Sequence, residues 1–404
     1  MPHLFVSQAV ISDHLIRTDV LALAPGTFHT LFVNQDGSVW STGISLNGHS
    51  KRLVKLIPSG ATTAAAGNYF SIALKQDGSV FATGKTSKGQ LSVFDASATS
   101  NRMFSFVQKI SGAKTVAAGG YHSLILTRLG VVWNAGWNMF GQLGDGSKVD
   151  RTRFSRVISD GAVDVAAGDI HSVVLKQDGS VWAAGRNHNG QLGDGTTTDR
   201  SEFVQAMVGA MPASAVSVAA GGYHSMVLKR DGSVWTTGWN EYGQLGDGST
   251  VDKTNYVKVF SSGAKAVSVG SRHSIMLGHD GSVWATGYNV DGQLGDGSKT
   301  NSKIFVEVIS DGVKAVAAGG FHSMVLNEDG SVWAAGSNQR GQLGERSSTV
   351  EESFVRIAPF GNGTDTVIHI WILPHNRAIA ILFYAHVVFA FLPCFDTIST
   401  SKRS

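Results

Sequence analysis

The stretch Ala117-Ala118-Gly119-Gly120-Tyr121-His122-Ser123 is one copy of a pattern that runs through the chain. It returns as Ala166-Ala167-Gly168-Asp169-Ile170-His171-Ser172, then at 219–225 and at 317–323. Weaker copies are Val269-Gly270-Ser271-Arg272-His273-Ser274, Ala65-Ala66-Gly67-Asn68-Tyr69-Phe70-Ser71 and Ala24-Pro25-Gly26-Thr27-Phe28-His29-Thr30. Downstream of each copy an aromatic residue leads to a glycine: Trp40 to Gly43, Phe81 to Gly84, Trp133 to Gly136, Trp182 to Gly185, Trp235 to Gly238, Trp284 to Gly287 and Trp333 to Gly336. The spacing stays near about 50 residues, so each copy is one supersecondary unit of a repeat array.

Inside one repeat the pattern is that of strands. Val163-Asp164-Val165-Ala166 alternates, Ser172-Val173-Val174-Leu175 is a short apolar run, and Asp178-Gly179 suits a hairpin turn with positive φ. Val181-Trp182-Ala183-Ala184 resumes a strand, and Phe203-Val204-Gln205-Ala206 supplies a fourth. A lone sheet of four short strands cannot bury both faces, so the repeats must stack. Seven such sheets closed in a ring predict an all-β fold, a seven-bladed β-propeller of four-stranded antiparallel blades spanning residues 1–360.

Composition agrees. The 404 residues include 49 glycines but only 7 prolines, and charged residues make up 16%. That excludes a polyelectrolyte, a coiled coil and a collagen-like chain. The lone Cys394 rules out an intrachain disulfide framework and any cysteine-based zinc site. A formal charge of +3 leaves no strong signal for nucleic acid. Met1-Pro2-His3-Leu4-Phe5 lacks the basic start of a secretory signal, so a cytoplasmic address is expected, with a nuclear one as alternative.

The combination Ala219-Ala220-Gly221-Gly222-Tyr223-His224-Ser225, Asp231-Gly232-Ser233-Val234-Trp235 and Gly243-Gln244-Leu245-Gly246-Asp247-Gly248 resembles the regulator of chromosome condensation repeat. The resemblance covers roughly residues 20–360 and implies a seven-bladed propeller. It does not imply one function, because the family includes an exchange factor for the small GTPase Ran, a plant UV-B receptor, a bacterial β-lactamase inhibitor and modules of ubiquitin ligases. The Gly-Gln-Leu-Gly-Asp-Gly element decays at Gly341-Gln342-Leu343-Gly344-Glu345-Arg346, at Gly89-Gln90-Leu91-Ser92 and at Gly48-His49-Ser50, as repeats near a ring seam do. Either Phe5-Val6-Ser7-Gln8-Ala9-Val10 or Phe354-Val355-Arg356-Ile357 supplies the last outer strand.

Recurrent residues read as scaffold. His29, His122, His171, His224, His273 and His322 share one repeat position, with Phe70 in the seventh. Equivalent positions around a ring lie too far apart to share one metal ion, so a hydrogen bond to backbone at the glycine turn is expected. The strand tryptophans fit packing between blades; a UV-B chromophore cluster is what the resemblance offers instead. Asp145, Asp194, Asp247 and Asp296 lack the alternating ligands of a calcium loop and read as turn caps. There is no nucleophile elbow and no phosphate-binding loop, so neither an enzyme nor a cofactor is expected.

Specificity should lie where copies differ. With strands lettered A to D in each repeat, the A–B turn varies through Phe28, Tyr69, Tyr121, Ile170, Tyr223, Arg272 and Phe321. The C–D turn varies through Trp137-Asn138-Met139-Phe140, Arg186-Asn187-His188, Trp239-Asn240-Glu241-Tyr242, Tyr288-Asn289-Val290-Asp291 and Ser337-Asn338-Gln339-Arg340. Both turns emerge on one face, whereas the B–C turn repeats Asp-Gly and breaks only at Leu129-Gly130. The expected protein-binding surface comprises Tyr121, Trp137, Met139, Phe140, Arg186, His188, Tyr223, Trp239, Glu241, Tyr242, Arg272, Tyr288, Phe321 and Arg340. The plain alternative is that the aromatics cover their own turns. Interaction with a protein partner is the expected function, and nucleotide exchange on a small GTPase the alternative.

After Phe360 the repeat stops, and residues 361–404 form an extension. Residues 378–392 are uncharged and almost wholly apolar, with Lys402 and Arg403 beyond. Fifteen residues fall short of the ~20 of a membrane span. A tail anchor, an extra strand pair and an extension with no selected role are all open.

Overall fold

Strand B explains why each repeat folds as a blade. In the computed structural model it is the second of four antiparallel strands, flanked on both sides and covered on both faces. His122–Thr127 is buried throughout, with Leu124, Ile125 and Leu126 at 0% exposure, which is why the run carries no charge. The structure describes residues 20–45, 48–85, 87–90, 105–206, 214–344 and 350–357, and the backbone of three short strands within 369–392.

Seven four-stranded sheets form over 20–57, 61–109, 113–158, 162–205, 215–260, 264–309 and 313–357, here blades 1 to 7. Blade 5 is representative, with A at Ala215–Ala220, B at His224–Lys229, C at Val234–Gly238 and D at Lys253–Phe260. Strand A lines a central channel of about 350 Å³ and is rich in alanine and valine, with a glycine just past its end, because seven strands converge there. Strand D is the outer edge, charged and alternately exposed, as in Arg151–Ile158. The core lies between neighbouring blades: Val173, Leu175 and Val181 of blade 4 pack with Val218, Val227 and Tyr256 of blade 5.

The last outer strand is Val350–Ile357, which pairs with Val332–Ser337, so each blade is one continuous stretch of chain. The other candidate strand, Phe5 to Val10, lies outside the described residues. Closure of the ring therefore rests on contacts between blades 7 and 1. Gly320 N donates to Gly26 O at 3.0 Å, Thr30 Oγ1 to Gln342 O at 2.8 Å, and Thr42 Oγ1 to Gly341 O at 2.8 Å.

The buried histidines take up this task around the ring, and here the sequence expectation needs correcting. Their Nε2 atoms bond not to backbone but to a hydroxyl of the next blade: His122 to Ser172, His171 to Ser225, His224 to Ser274 and His273 to Ser323 at 2.9 Å, His29 to Ser71 at 2.8 Å, and His322 to Thr30 at 3.0 Å. Ser172, Ser225, Ser274, Ser323 and Thr30 donate their own protons to the carbonyls of Gln142, Gln191, Gln244, Gln293 and Gln342. A hydroxyl that donates once must accept from the imidazole, which fixes these rings as Nε2–H tautomers. All six Nδ1 atoms are buried without a partner.

The B–C turns carry a second repeated bond. Asp178 holds Ser180 through N and Oγ, and Ser180 Oγ accepts from Trp182 Nε1 at 2.9 Å. Trp40, Trp235, Trp284 and Trp333 repeat the serine bond. In blade 3 Leu129-Gly130-Val131 replaces Asp-Gly-Ser, Leu129 stands 82% exposed, and Trp133 Nε1 is buried without a partner. Leu129→Asp with Val131→Ser restores the bond and is expected to stabilise by about 1 kcal/mol. A denaturant midpoint that stays put or falls contradicts that account.

The chain divides into two compact units, Met1–Pro359 and Phe360–Ser404. In the second, His369–Ile372, Ile379–Leu382 and Phe391–Leu392 form a three-stranded antiparallel sheet. The rest of the 361–404 extension, with most of the apolar stretch 378–392, lies outside the described residues. Among the described residues no helix is long and apolar enough to cross a membrane.

Candidate functional site

The C–D turns are rigid frames that hold variable side chains. In blade 3, buried Asn138 donates through Nδ2 to Asp145 Oδ1 at 3.1 Å and to Ser147 O at 3.1 Å, and accepts from Leu143 N at 2.9 Å. Asp150 Oδ1 takes the Asn138 amide at 2.9 Å, and Gln142 Oε1 takes that of Phe140 at 3.1 Å. Asp145 caps Ser147 N at 3.0 Å and pairs with Arg151 at 2.7 Å, so the aspartates are turn caps, as expected. Asn187, Asn240 and Asn289 repeat the arrangement. The sequence reading passed over these asparagines, although an invariant second position in a varying turn was the signal.

On these frames the variable residues meet across blades. Tyr121 packs edge-on to Trp137 at 5.8 Å between ring centroids, and Trp137 to Phe140 at 5.3 Å. Arg186 lies over Phe140 at 5.0 Å and Tyr223 at 5.9 Å, linking blades 3, 4 and 5. Tyr223 meets Trp239 at 5.6 Å, Trp239 meets Tyr242 at 5.2 Å, and Tyr242 meets Tyr288 at 4.9 Å. Arg272 stands over Trp239, Tyr242 and Tyr288 at 5.5–5.7 Å. Lys88 extends the series onto Trp137 at 5.8 Å. Nine of the expected residues thus form one arc across blades 3 to 6, each half-buried against its neighbours.

The arc's charge is unusual. Neither Arg186 nor Arg272 forms an ion pair among the described residues, and Arg186 Nε is buried without a partner. Stacking keeps each guanidinium flat over the rings and leaves it without a carboxylate partner among the described residues.

The remaining expected residues are not part of the arc. Phe321 joins Phe28 at 6.4 Å, and Phe28 stacks on Tyr69 at 5.0 Å, a second cluster on blades 7, 1 and 2. Met139 is 60% exposed and has no ring contact. His188 reaches Arg186 at 3.5 Å and Asp199 at 3.8 Å. Glu241 and Arg340 are exposed.

The channel opens between these clusters. Asp169 of blade 4 lines its wall where blades 3, 5 and 7 have Gly120, Gly222 and Gly320, and burial pushes its carboxyl up to about 6. Among the described residues no group of three or more histidine, cysteine, aspartate or glutamate side chains is placed to hold a metal ion.

A family profile described as RCC1-like domain matches residues 6–308 and 152–372. The Arabidopsis thaliana ultraviolet-B receptor UVR8 is 31% identical over 148 residues, 36% of this chain and 34% of the receptor. The Mus musculus RCC1 domain-containing protein 1 is 30% identical over 167 residues, 39% of each chain. The chain therefore spans well under half the length of the curated relatives it matches. Human WBSCR16 superposes with a TM-score of 0.70 at 23% identity, over 76% of this chain and 85% of that one. Prp20p of Saccharomyces cerevisiae, whose structure was described with its binding to Gsp1p and histones, gives 0.64 at 22%, over 74% and 80%. At these identities the likeness shows the fold alone.

Proposed function

The chain belongs to the RCC1-like domain family, and from that premise we propose that it is a non-catalytic module that binds a protein partner through the face of its A–B and C–D turns. The observation that carries this reading is the arc from Tyr121 to Tyr288, in which rings and two arginines outside any ion pair among the described residues share one surface. Turn packing alone calls for rings over their own turns, not for guanidinium groups spanning blades. Aromatic residues and arginine are the types that dominate interface energetics. The fit is to a partner surface that offers apolar groups to the rings and carboxylates to Arg186 and Arg272.

The test pairs affinity capture on the full-length chain with Trp239→Ala/Tyr242→Ala. The double variant is expected to keep its melting temperature within a few degrees while losing about 30-fold or more in affinity for the captured protein. Unfolding of the variant, or unchanged affinity, returns these residues to the core. The structure of Prp20p was described together with its binding to Gsp1p, so any small GTPase recovered is then tested for accelerated nucleotide release. Release would move the reading to an exchange factor.

A further inference from the structure

Two grooves between neighbouring blades are built from equivalent residues and differ in what fills them. The groove between blades 3 and 4, about 460 Å³, contains Arg156, Lys176 and Trp182. The groove between blades 6 and 7, about 840 Å³, has Glu307, Asn327 and Trp333 at the same places. Both cations of the first are missing from the second.

The first groove shows what the missing group does. Lys176 ends strand B of blade 4 and holds its ammonium 4.2 Å from the centroid of Trp182. Lys75 and Lys229, at the same strand end in blades 2 and 5, lie over Phe81 at 4.7 Å and Trp235 at 5.4 Å. Strand B of blade 7 ends instead on Asn327, whose Nδ2 turns back to Ser331 Oγ at 3.1 Å. Trp333 packs on the core between blades 6 and 7 but carries no lysine or arginine over its ring among the described residues, while its Nε1 stays tied to Ser331 at 3.0 Å.

The balance of charge differs: where the blade 3/4 groove sets Asp145, Asp160 and Glu202 beside its two cations, this groove has carboxylates alone. Asp296, Glu307, Asp311, Glu328 and Asp329 line the blade 6/7 groove, and no lysine or arginine does. Arg356 stands opposite Trp333 on the outer strand and directs its charge toward Asp329, but among the described residues it neither stacks on the ring nor forms an ion pair. An aromatic face ringed by carboxylates attracts a cation through the ring quadrupole and Coulomb forces together. A hydrocarbon stem suits the Trp333 and Phe354 walls.

We propose that the groove between blades 6 and 7 binds a primary alkylammonium group, seated on Trp333 where Lys176 sits on Trp182. The group is either a free amine or a lysine side chain of another chain. The site shares no residue with the arc on the turn face, and its test requires no protein partner.

The full-length protein is labelled with ¹⁵N at its tryptophans, and Trp333→Phe identifies the Trp333 indole signal. Cadaverine and Nα-acetyl-lysine methylamide are titrated separately at pH 8, with sodium chloride at matched ionic strength as control. A saturable shift of the Trp333 signal in the low millimolar range is expected. Binding of both probes assigns a lysine side chain, and binding of cadaverine alone assigns a free amine. Asn327→Lys supplies the internal lysine of blades 2, 4 and 5 and is expected to weaken binding at least about tenfold without loss of stability. The proposal is overturned if the shift fails to saturate, if sodium chloride reproduces it, or if folded Asn327→Lys binds as the wild type does.

Discussion

Unfolding near pH 5 is expected to take up about five protons per molecule, and stability should collapse between pH 6.5 and 4. The cause is the belt of histidines between blades. Burial lowers His29, His171 and His273 to about 4 and His122, His224 and His322 to about 3, from an ordinary 6.5. A protonated ring would also carry an Nδ1–H with no acceptor, since all six Nδ1 atoms lack partners. Below pH 6.5 the unfolded chain therefore binds protons that the folded chain refuses, and stability falls until pH passes the folded values. Each proton of difference is worth about 1.4 kcal/mol per pH unit, so six approach ~8 kcal/mol per unit, against a total stability of ~5–15 kcal/mol. Asp169 works the other way: its carboxyl, raised to about 6, is protonated more readily in the folded state and offsets roughly one proton. Calorimetry in two buffers of different ionisation enthalpy counts the uptake directly. A value below two, or a denaturant midpoint flat from pH 6.5 to 4.5, would sink the account. His122→Gln should lower the count by one.

This belt also shows where reading the sequence stops. The recurrence of histidine three residues after a turn glycine was plain, as was its structural rather than metal-binding role. Its partner was not, because Ser172 lies in the next repeat, 50 residues away, and only ring closure brings it to His122. Strand order, blade number and the variable face followed from period and turn chemistry, which are local. The arc is non-local: Arg186 reaches Phe140 and Tyr223 from a different blade than either. Met139 sits in the same turn as Trp137 yet points away, and nothing in its sequence neighbourhood distinguishes the two. Ring closure was undecidable from sequence because two segments had the same strand pattern; the pairing of Val332–Ser337 with Val350–Ile357 selects one.

Gly221→Ala is expected to destabilise the propeller severely, while Gly161→Ala costs little, although both are turn glycines. Gly161 has a φ of 74°, but a Cβ there would meet nothing within 4 Å, so the cost is only the backbone preference, about 1 kcal/mol. Gly221 is not in the left-handed region. It is glycine because a Cβ would run into the carbonyl oxygen of Gly270 and into Val269 on the next blade. The same encounter recurs at every seam: Gly26 faces Gly67 O, Gly67 faces Gly119 O, Gly119 faces Gly168 O, Gly168 faces Gly221 O, Gly270 faces Gly319 O, and Gly319 faces Gly26 O. Seven such contacts close on themselves, so one blade cannot retreat from an added methyl without pressing on the next. A side chain placed against flexible neighbours costs ~1–3 kcal/mol, and here the obstacle is backbone in a closed ring. We expect a loss of about 3 kcal/mol or more, a fall of roughly 4 °C or more in melting temperature, against about one to two degrees for Gly161→Ala. Equal effects at the two positions would mean that conformational freedom, not the space between blades, holds glycine at the channel turns.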